Sequence, residues 1–237
     1  MIQAVFFDFN GVIIDDEPLH LKAYTEVLKE EGVELTREDY FNSLGMDDVT
    51  FVRAAFERVG RELSEDVLRR VIANEAAKHR ALIDDELPLA PGVVTFVKAL
   101  SRRYALGVVS MATRDGIDYG LGRAGLAPYF NVVVSAEDVT ACKPDPCCYA
   151  KALELLNAAR GRAHVLPVSP AECLVVEDSP PGIRSARAAG MRTLGVTNTV
   201  PERALRDAGA DVVTRSLADW TPDAVHHVFD TEWGRRE

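Results

Sequence analysis

The sequence predicts an α/β protein with a Rossmann-like parallel sheet as its core and a helical cap domain inserted after the first strand. Two observations support this prediction. Short apolar runs alternate with helical periods along most of the chain, and one long segment with only helical patterns interrupts that alternation. The 237 residues are 47% apolar and 27% charged, which is enough for one sizeable core. This length fits one domain with an insertion, or two unequal domains.

Six apolar runs predict the strands of the sheet. Each has four to seven residues and is rich in Val, Leu or Ile, which favour extended structure. The runs are Ala4–Phe7, Tyr104–Ser110, Asn131–Ser135, Cys173–Glu177, Arg192–Thr197 and Asp211–Thr214. Between them, apolar residues recur at the i, i+3, i+4, i+7 spacing of amphipathic helices. Continuous apolar strands that alternate with helices indicate a parallel sheet covered on both faces.

The inserted segment extends from about Pro18 to Pro88 and shows four helical patterns, at about 18–32, 36–43, 47–60 and 64–84. Both junctions carry turn residues, Pro18 on entry and Pro88 with Pro91-Gly92 on exit. We therefore expect a core domain of residues 1–17 and 88–237 and a cap domain of residues 18–87. The apolar face predicted for the last cap helix consists of Val67, Leu68, Val71, Ile72, His79, Leu82 and Ile83.

Composition limits the partners and the compartment. The 27 basic residues against 37 acidic ones give a net charge of −10, which disfavours nucleic acid and anionic membranes as partners. The chain enters a strand-like run at Ile2, without the basic segment and cleavage site of a secretory leader. It also has no apolar stretch of the roughly 20 residues that span a bilayer. The cysteines lack the spacing of a zinc site or a disulfide framework. We expect a cytoplasmic monomer, and the acidic composition still allows a small phosphorylated partner, because a metal ion or two local cations can hold it.

Polar residues follow four of the predicted strands, where an open parallel sheet binds its ligands. Three carboxylates together with one lysine and one hydroxyl suit a hard divalent cation and a phosphate group. The sequence therefore predicts a Mg²⁺ and phosphate site at one edge of the sheet. Its candidate residues are Asp8, Asn10, Ser110, Lys143, Glu177 and Asp178.

Four motifs occur in order along the chain. They are Asp8-Phe9-Asn10-Gly11-Val12 with Asp15 and Glu17, then Val108-Val109-Ser110, then Lys143-Pro144-Asp145, then Glu177-Asp178-Ser179 with Gly182 and Ala188-Ala189-Gly190-Met191. On these residues the chain resembles the haloacid dehalogenase superfamily, in the helical-cap branch that includes β-phosphoglucomutase-like phosphatases. The resemblance implies Mg²⁺-dependent hydrolysis of a small phosphorylated metabolite.

The resemblance also implies a role for each residue of the first and last motifs. Asp8 would be the nucleophile that attacks phosphorus and forms an aspartyl phosphate. Mg²⁺ would be bound by Asp8, by the backbone carbonyl of Asn10 and by Asp178. Glu177 would either orient a water on the metal or coordinate the metal directly.

The remaining roles concern the phosphoryl group and the cap. By the same resemblance, Ser110 and the backbone N–H groups of Met111 and Ala112 would hold the phosphoryl oxygens, and Lys143 would neutralise charge in the transition state. The cap loop Ser43-Leu44-Gly45-Met46 lacks the arginine that sugar phosphomutases carry nearby, which disfavours a mutase. The residues expected to contact the leaving group are Glu17, His20 and Lys78.

Asn10 departs from the family pattern, in which a second aspartate acts as general acid and base. An amide cannot transfer a proton at neutral pH. The protein could be a slow phosphatase whose acid is a water, Asp15, Asp16 or Glu17. It could act on a leaving group that needs no strong acid, such as an acyl phosphate, or bind phosphate without turnover. Asn10 could also result from an engineered or other change to the sequence, or it could deamidate at Asn10-Gly11.

Overall fold

The structure, a computed structural model, describes residues 1–232 of the chain. Its strands are β1 (Ala4–Phe7), β2 (Ala105–Val109), β3 (Val132–Val134), β4 (Cys173–Glu177), β5 (Arg192–Val196) and β6 (Val212–Thr214). They form one parallel sheet in the order β3-β2-β1-β4-β5-β6. All six predicted strands are confirmed to within one residue at each end, because each is an apolar run bounded by turn residues.

Four helices follow β1 in the segment predicted to be helical: α1 (Glu17–Glu30), α2 (Arg37–Asn42), α3 (Asp48–Arg58) and α4 (Glu65–Asp85). The remaining helices are α5 (Val93–Leu100), α6 (Arg114–Ala124), α7 (Cys147–Arg162), α8 (Pro180–Ala188), α9 (Glu202–Asp207) and α10 (Pro222–His226), followed by a π-helical segment, His227–Glu232. The predicted α/β class with alternating strands and helices is confirmed.

The central strand β1 separates two apolar clusters. Phe7 packs edge-on against Phe96 of α5 and Phe130, with ring centroids 6.0 Å apart in both pairs. Phe6 belongs to the opposite cluster, which contains Tyr149 of α7. Because successive side chains of a strand point to opposite faces, both faces of the sheet are covered, as the continuous apolar runs predict.

The strand register brings three strand ends to one level. Phe7 pairs with Val108 of β2 and with Val176 of β4. Asp8 directly follows Phe7, and its N–H group donates to the carbonyl of Val176 at 3.0 Å. The carboxyl ends of β1, β2 and β4 therefore converge at the edge where the predicted site residues lie.

The four helices α1 to α4 pack around an apolar cluster of their own, which includes Tyr24, Leu28, Phe51 and Val71. Local capping fixes where α4 begins, since Ser64 accepts the N–H group of the residue three positions later. A separate apolar cluster supports the proposal that residues 18–87 form a cap domain. We refer to α1–α4 and their connections as the cap.

The described helices are each too short or too polar to cross a membrane. All four cysteines carry free thiols, and two of them, Cys148 and Cys173, are buried. Burial raises the pKa of the Cys173 thiol to about 12, so this side chain serves as a small apolar residue of the core.

Candidate active site

A cavity of about 210 Å³ lies between the carboxyl edge of the sheet and the cap. Most of the predicted site residues line it from the sheet side. These are Asp8, Asn10, Ser110, Met111, Ala112, Lys143 and Asp178. The cap side is lined by polar and aromatic residues, among them Glu17, His20, Tyr24, Tyr40, Asp48, Phe51, Glu75 and His79.

The buried ammonium of Lys143 connects the ends of two strands. Its Nζ lies 3.0 Å from Oδ1 of Asp8 and 2.6 Å from Oε1 of Glu177, and it donates to the carbonyl of Val109 at 3.3 Å. Burial alone would lower the pKa of this lysine, but the two carboxylates outweigh it and raise the pKa. Lys143 therefore remains charged beside the first strand end.

Glu177 is fully buried and both of its carboxylate oxygens are hydrogen-bonded. Tyr149 donates its hydroxyl to Oε1 at 2.6 Å, and Ser179 donates its hydroxyl to Oε2 at 3.0 Å. Helix α8 also packs directly on this side chain, since a Cβ atom at Gly182 would lie 2.0 Å from the carboxyl carbon. These contacts fix Glu177 as the anchor of Lys143.

Asp8, Glu177 and Asp178 form a cluster that could hold a metal ion, because each offers a carboxylate oxygen within 4.8 Å of the others. Oδ2 of Asp178 is buried without a hydrogen-bond partner in residues 1–232. Burial raises the pKa of Asp178 well above its usual value and that of Asp8 to about 7, although Lys143 opposes the shift at Asp8. Excess carboxylate charge and an unpaired buried oxygen fit a hard divalent cation.

Ser110 follows β2 and is almost fully buried. Its hydroxyl accepts the N–H group of Ala112 at 3.1 Å and donates to Oδ1 of Asn10 at 3.4 Å. The segment continues into α6, whose first turn is capped by Thr113. A hydroxyl and backbone N–H groups next to a helix N-terminus suit the oxygens of an anion.

Asn10 joins the loop after β1 to the cap. Its Nδ2 donates to Oδ2 of Asp16 at 2.9 Å and lies 3.2 Å from Nε2 of His20. Nε2 of His79 is 3.0 Å from the same Asp16 oxygen, and Nδ1 of His20 is 2.9 Å from Oε1 of Glu75. Residue 10 is thus part of a buried polar network that reaches both α1 and α4.

Two members of this network were not found as site residues by sequence reasoning. His79 lies on the face of α4 that the sequence predicts to be apolar, and Ile72 and Ile83 of that face line the same cavity, so what the sequence did not show is that this face meets the site. Glu75 lies one turn earlier on the same face, so a polar pair at i, i+4 was the signal that could have identified both.

The side chains of Asp16, His20 and His79 are close enough to suggest a second metal site. The two imidazole rings, however, stack with centroids 3.7 Å apart and planes only 11° from parallel. In-plane lone pairs of near-parallel rings do not converge on one ion. Burial would raise the pKa of Asp16, but its contacts with His20 and His79 outweigh this effect and lower it. The cluster is a hydrogen-bond network around an ionised Asp16.

The three predicted cap residues have different positions. Glu17 and His20 line the cavity, and the hydroxyl of Tyr40 donates to Oε2 of Glu17 at 2.5 Å. Nζ of Lys78 instead lies 3.1 Å from Oε2 of Glu26 on α1, outside the cavity. The structure does not bring Lys78 to the site, because successive helical residues are about 100° apart and His79 occupies the inward position.

The cap rests on the loop that carries Lys143. A Cβ atom at Gly45 would lie 2.9 Å from Cγ of Pro181 and 3.1 Å from Cβ of Lys143. The neighbouring N–H group of Asp47 donates to Sγ of Cys142 at 3.4 Å. The cap is therefore closed over the cavity in this structure.

The haloacid dehalogenase-like hydrolase family matches residues 2–190, and the chain belongs to this family. It is 30% identical over 211 residues to the Phosphorylated carbohydrates phosphatase of Thermotoga maritima, covering 88% of this chain and 92% of that protein. It is 32% identical over 193 residues to the Fructose-1-phosphate phosphatase YqaB of Escherichia coli, covering 81% of this chain and 95% of that protein.

A longer relative is Protein SUPPRESSOR OF QUENCHING 1, chloroplastic, of Arabidopsis thaliana, which is 31% identical over 224 residues. The match covers 92% of this chain and 20% of that protein, so the chain spans about a fifth of this relative's length.

Two solved structures show the same architecture. β-Phosphoglucomutase (pgmB) from Clostridium difficile superposes with a TM-score of 0.85 at 21% identity, covering 99% of this chain and 100% of that one. CbbY from Rhodobacter sphaeroides, solved in complex with phosphate, gives a TM-score of 0.76 at 27% identity, covering 92% and 96% of the two chains. The match to the first of these concerns the fold alone.

The close contact at Gly45 predicts that Gly45→Ala disturbs the closed position of the cap. The added methyl group would displace Pro181 or the cap loop, so we expect a larger radius of gyration in small-angle scattering and faster hydrogen exchange at the Asp47 amide. Gly60→Ala is the matched control, because Gly60 has a similar positive φ, 65° against 85°, and nothing within 4 Å of its Cβ position. Equal exchange in the two variants would show that the contact does not hold the cap.

Proposed function

We propose that the protein is a Mg²⁺-dependent phosphatase that hydrolyses the phosphate monoester of a small carbohydrate or related polyol through an aspartyl phosphate on Asp8. The observation that carries this proposal is Asp8 at the end of β1, 3.0 Å from the buried ammonium of Lys143 and at the base of the cavity. The names of the Thermotoga and Escherichia relatives support the phosphorylated carbohydrate. The composition and the family support a cytoplasmic protein.

In the first step, a carboxylate oxygen of Asp8 attacks phosphorus while the bond to the ester oxygen breaks and that oxygen takes up a proton. Ser110 and the N–H groups of Met111 and Ala112 hold the equatorial phosphoryl oxygens, and Lys143 balances the charge that they gain. Water then attacks the aspartyl phosphate, which releases phosphate and restores Asp8. Closure of the cap keeps bulk water from the site during transfer.

Asp8, Asp178 and the backbone carbonyl of Asn10 are the residues proposed to hold Mg²⁺. When bound, the ion supplies positive charge that lets a phosphate dianion approach the Asp8 carboxylate. Glu177 positions Lys143 and is not proposed as a direct ligand, because both of its oxygens already accept hydrogen bonds.

We propose Glu17 as the acid that replaces the missing aspartate. Asp15 is exposed and Asp16 is held in the Asn10 network, whereas Glu17 lines the cavity. Burial is the main cause that raises the pKa of Glu17, and it outweighs the opposing effects of His20 and of the Tyr40 hydroxyl. A carboxyl group with a raised pKa can donate a proton to the leaving oxygen near neutral pH.

A phosphate-binding protein without turnover is the second candidate, favoured by the amide at position 10. A mutase is less well supported, because a second phosphate needs a free cation. The lysine and arginine residues that line the cavity are Lys143 and Arg80, and both already pair with aspartates in the described chain.

The function is tested by replacing the nucleophile. We expect Asp8→Asn to abolish hydrolysis of p-nitrophenyl phosphate in the presence of Mg²⁺ while circular dichroism shows an intact fold, because the covalent route needs the carboxylate. The parent protein should form an acid-stable or trappable phosphoryl adduct that the variant lacks. Turnover within twofold of the parent in Asp8→Asn would refute the mechanism, and a parent inactive with Mg²⁺ would favour the binding protein.

The role of Glu17 as proton donor is tested by removing its carboxyl group and then restoring one at position 10. We expect Glu17→Gln to slow an alkyl phosphate by about 10²- to 10⁴-fold and to affect p-nitrophenyl phosphate little, because only the alkoxide leaving group needs protonation. Asn10→Asp should restore the alkyl ester in Glu17→Gln by a similar factor, and it should change the parent little because Glu17 already supplies the proton there. The matched control is Glu26→Gln, an exposed position on α1.

Two outcomes would contradict this assignment. Equal losses on both esters in Glu17→Gln would indicate a structural role for Glu17. No rescue of the alkyl ester when Asn10→Asp is added to Glu17→Gln, with metal bound normally, would show that the group lost in Glu17→Gln is not a proton donor. Mass spectrometry of the parent must first exclude deamidated Asn10.

The raised pKa of Asp8 predicts how pH and Mg²⁺ affect stability. Its folded value of about 7, against 3.8 for the free side chain, means that the folded protein binds more protons than the unfolded chain between these values. The contribution of Asp8 to stability is therefore present at low pH and is lost as the pH rises towards 7 in metal-free protein. Because a metal needs the ionised carboxylate, Mg²⁺ should raise Tm more at pH 8 than at pH 5.

The measurement is Tm in EDTA and in Mg²⁺ at the two pH values, with Asp8→Asn as the comparison that removes this titration. A Mg²⁺-induced change in Tm that is the same at pH 5 and pH 8 would contradict the prediction.

A further inference from the structure

We propose that the leaving group of the substrate carries a protonated amine, which binds between Asp48 and Glu75 on the cap side of the cavity. The proposal rests on the phosphatase function proposed above and names the class of substrate, an amino-substituted phosphate monoester.

Asp48 and Glu75 each have one carboxylate oxygen that nothing in the described chain occupies. The hydroxyl of Tyr24 donates to Oδ1 of Asp48, and Nδ1 of His20 contacts Oε1 of Glu75 at 2.9 Å. The other oxygen of each carboxylate accepts no hydrogen bond from residues 1–232, and both residues line the cavity. Glu75 is only 3% exposed, and His20 is the one side chain that contacts its carboxylate in the described residues, so its second oxygen is free to accept from a ligand in the cavity.

The two carboxylates contact side chains one turn apart on α1, since Glu75 contacts His20 and Asp48 contacts Tyr24. Burial is the main cause that raises the pKa of Asp48, and the charge of Glu75 adds to it. Nearby positive charge is insufficient, because His20 faces Asp16 as well as Glu75 and stacks on His79 at 3.7 Å. His20 therefore serves two carboxylates at once, and neither of its contacts reaches Asp48.

The other cation on the cap side is engaged elsewhere. The guanidinium of Arg80 lies 3.2 Å from Asp115 and 3.5 Å above the ring of Tyr119, on helix α6 of the core. Asp48 therefore has no cationic partner in the part of the chain that the structure describes. The cap side of the cavity carries excess negative charge.

The remaining wall of this region is aromatic. The rings of Tyr24 and Phe51 lie 4.4 Å apart, and both residues line the cavity. An ammonium group is attracted both to carboxylates and to aromatic faces. A second phosphate or a carboxylate on the leaving group would be repelled, and a hydroxyl could be bound but would leave the charge unbalanced. A protonated amine satisfies both the free oxygens and the charge.

The test compares substrates that differ by one group. We would measure kcat/KM with Mg²⁺ for glucosamine 6-phosphate against glucose 6-phosphate, and for 2-aminoethyl phosphate against 2-hydroxyethyl phosphate. Hydrogen bonds to charged groups are worth enough to predict that the amine is preferred by roughly ten- to a hundredfold in at least one pair. 6-Phosphogluconate should be the poorest sugar substrate because its carboxylate faces the same wall.

Variants link the preference to the two carboxylates. Glu75→Gln and Asp48→Asn should each bring the ratio of kcat/KM for the amine and hydroxyl substrates towards one, mainly by raising KM for the amine. The kinetics of the hydroxyl substrate should change little in comparison. Two variants are used because Glu75 is buried and its replacement could affect folding. Asp66→Asn, at an exposed position on α4, is the matched control and should keep the full preference.

The outcomes separate the inference from the function on which it rests. Inactivity of the parent on all five substrates and on p-nitrophenyl phosphate would refute the phosphatase itself. Activity without an amine preference in either pair would overturn the amine site and leave the phosphatase intact. A preference that persists in both Glu75→Gln and Asp48→Asn would also overturn the site, because it would not depend on these carboxylates.

Discussion

The position of the Lys143 ammonium between Asp8 and Glu177 is the constraint on which the site depends. The three charges are buried, so their desolvation is offset only while all the contacts are short. The ends of β1 and β4 and the loop after β3 must therefore meet at one point. The parallel register of β1 against its two neighbours achieves this, because it sets the first residue after β1 level with the last residue of β4. Removing one partner would leave an uncompensated buried charge, at a cost of about 3 to 5 kcal/mol.

A second constraint explains why an amide can be stable at position 10. Asn10 donates to Asp16, which is fully buried and also contacts His79. An aspartate at position 10 would put two carboxyl groups about as close as the 2.9 Å that now separates the amide and Asp16, and one of them would have to hold a proton. Asn10 and an ionised Asp16 are thus mutually compatible, and together they join the loop after β1 to the cap. The loop after β1 thus lacks the carboxyl group that an aspartate at position 10 would supply. Glu17, whose pKa is raised, brings a carboxyl group to the cavity from the cap.

The sequence was sufficient for the sheet and for the sheet side of the site, because both depend on local patterns. Apolar runs located the strands, and the convergence of parallel strand ends then placed Asp8, Ser110 and Asp178 together without knowledge of any long-range contact. The cap side depends on helix phase and on how an inserted segment packs against the core. One residue of difference turns a helical side chain by about 100°, and the resemblance that pointed to Lys78 did not fix this phase, whereas His79 is the residue that lines the cavity. No local pattern could show that Asp48 and Glu75, from different helices, face the same cavity.

The two ends of the cavity make opposite electrostatic demands on a ligand. The sheet end gathers Lys143, backbone N–H groups and a carboxylate cluster suited to a divalent cation, which fits the phosphate dianion of the proposed function. The cap end presents free carboxylate oxygens with too few cations. A phosphorylated amine entering in the reverse orientation would place its phosphate against Asp48 and Glu75 and its ammonium against Lys143, which is unfavourable at both ends. Under the proposed function, charge alone would therefore orient the substrate with phosphorus at Asp8, without the cap arginine that a second phosphate would require.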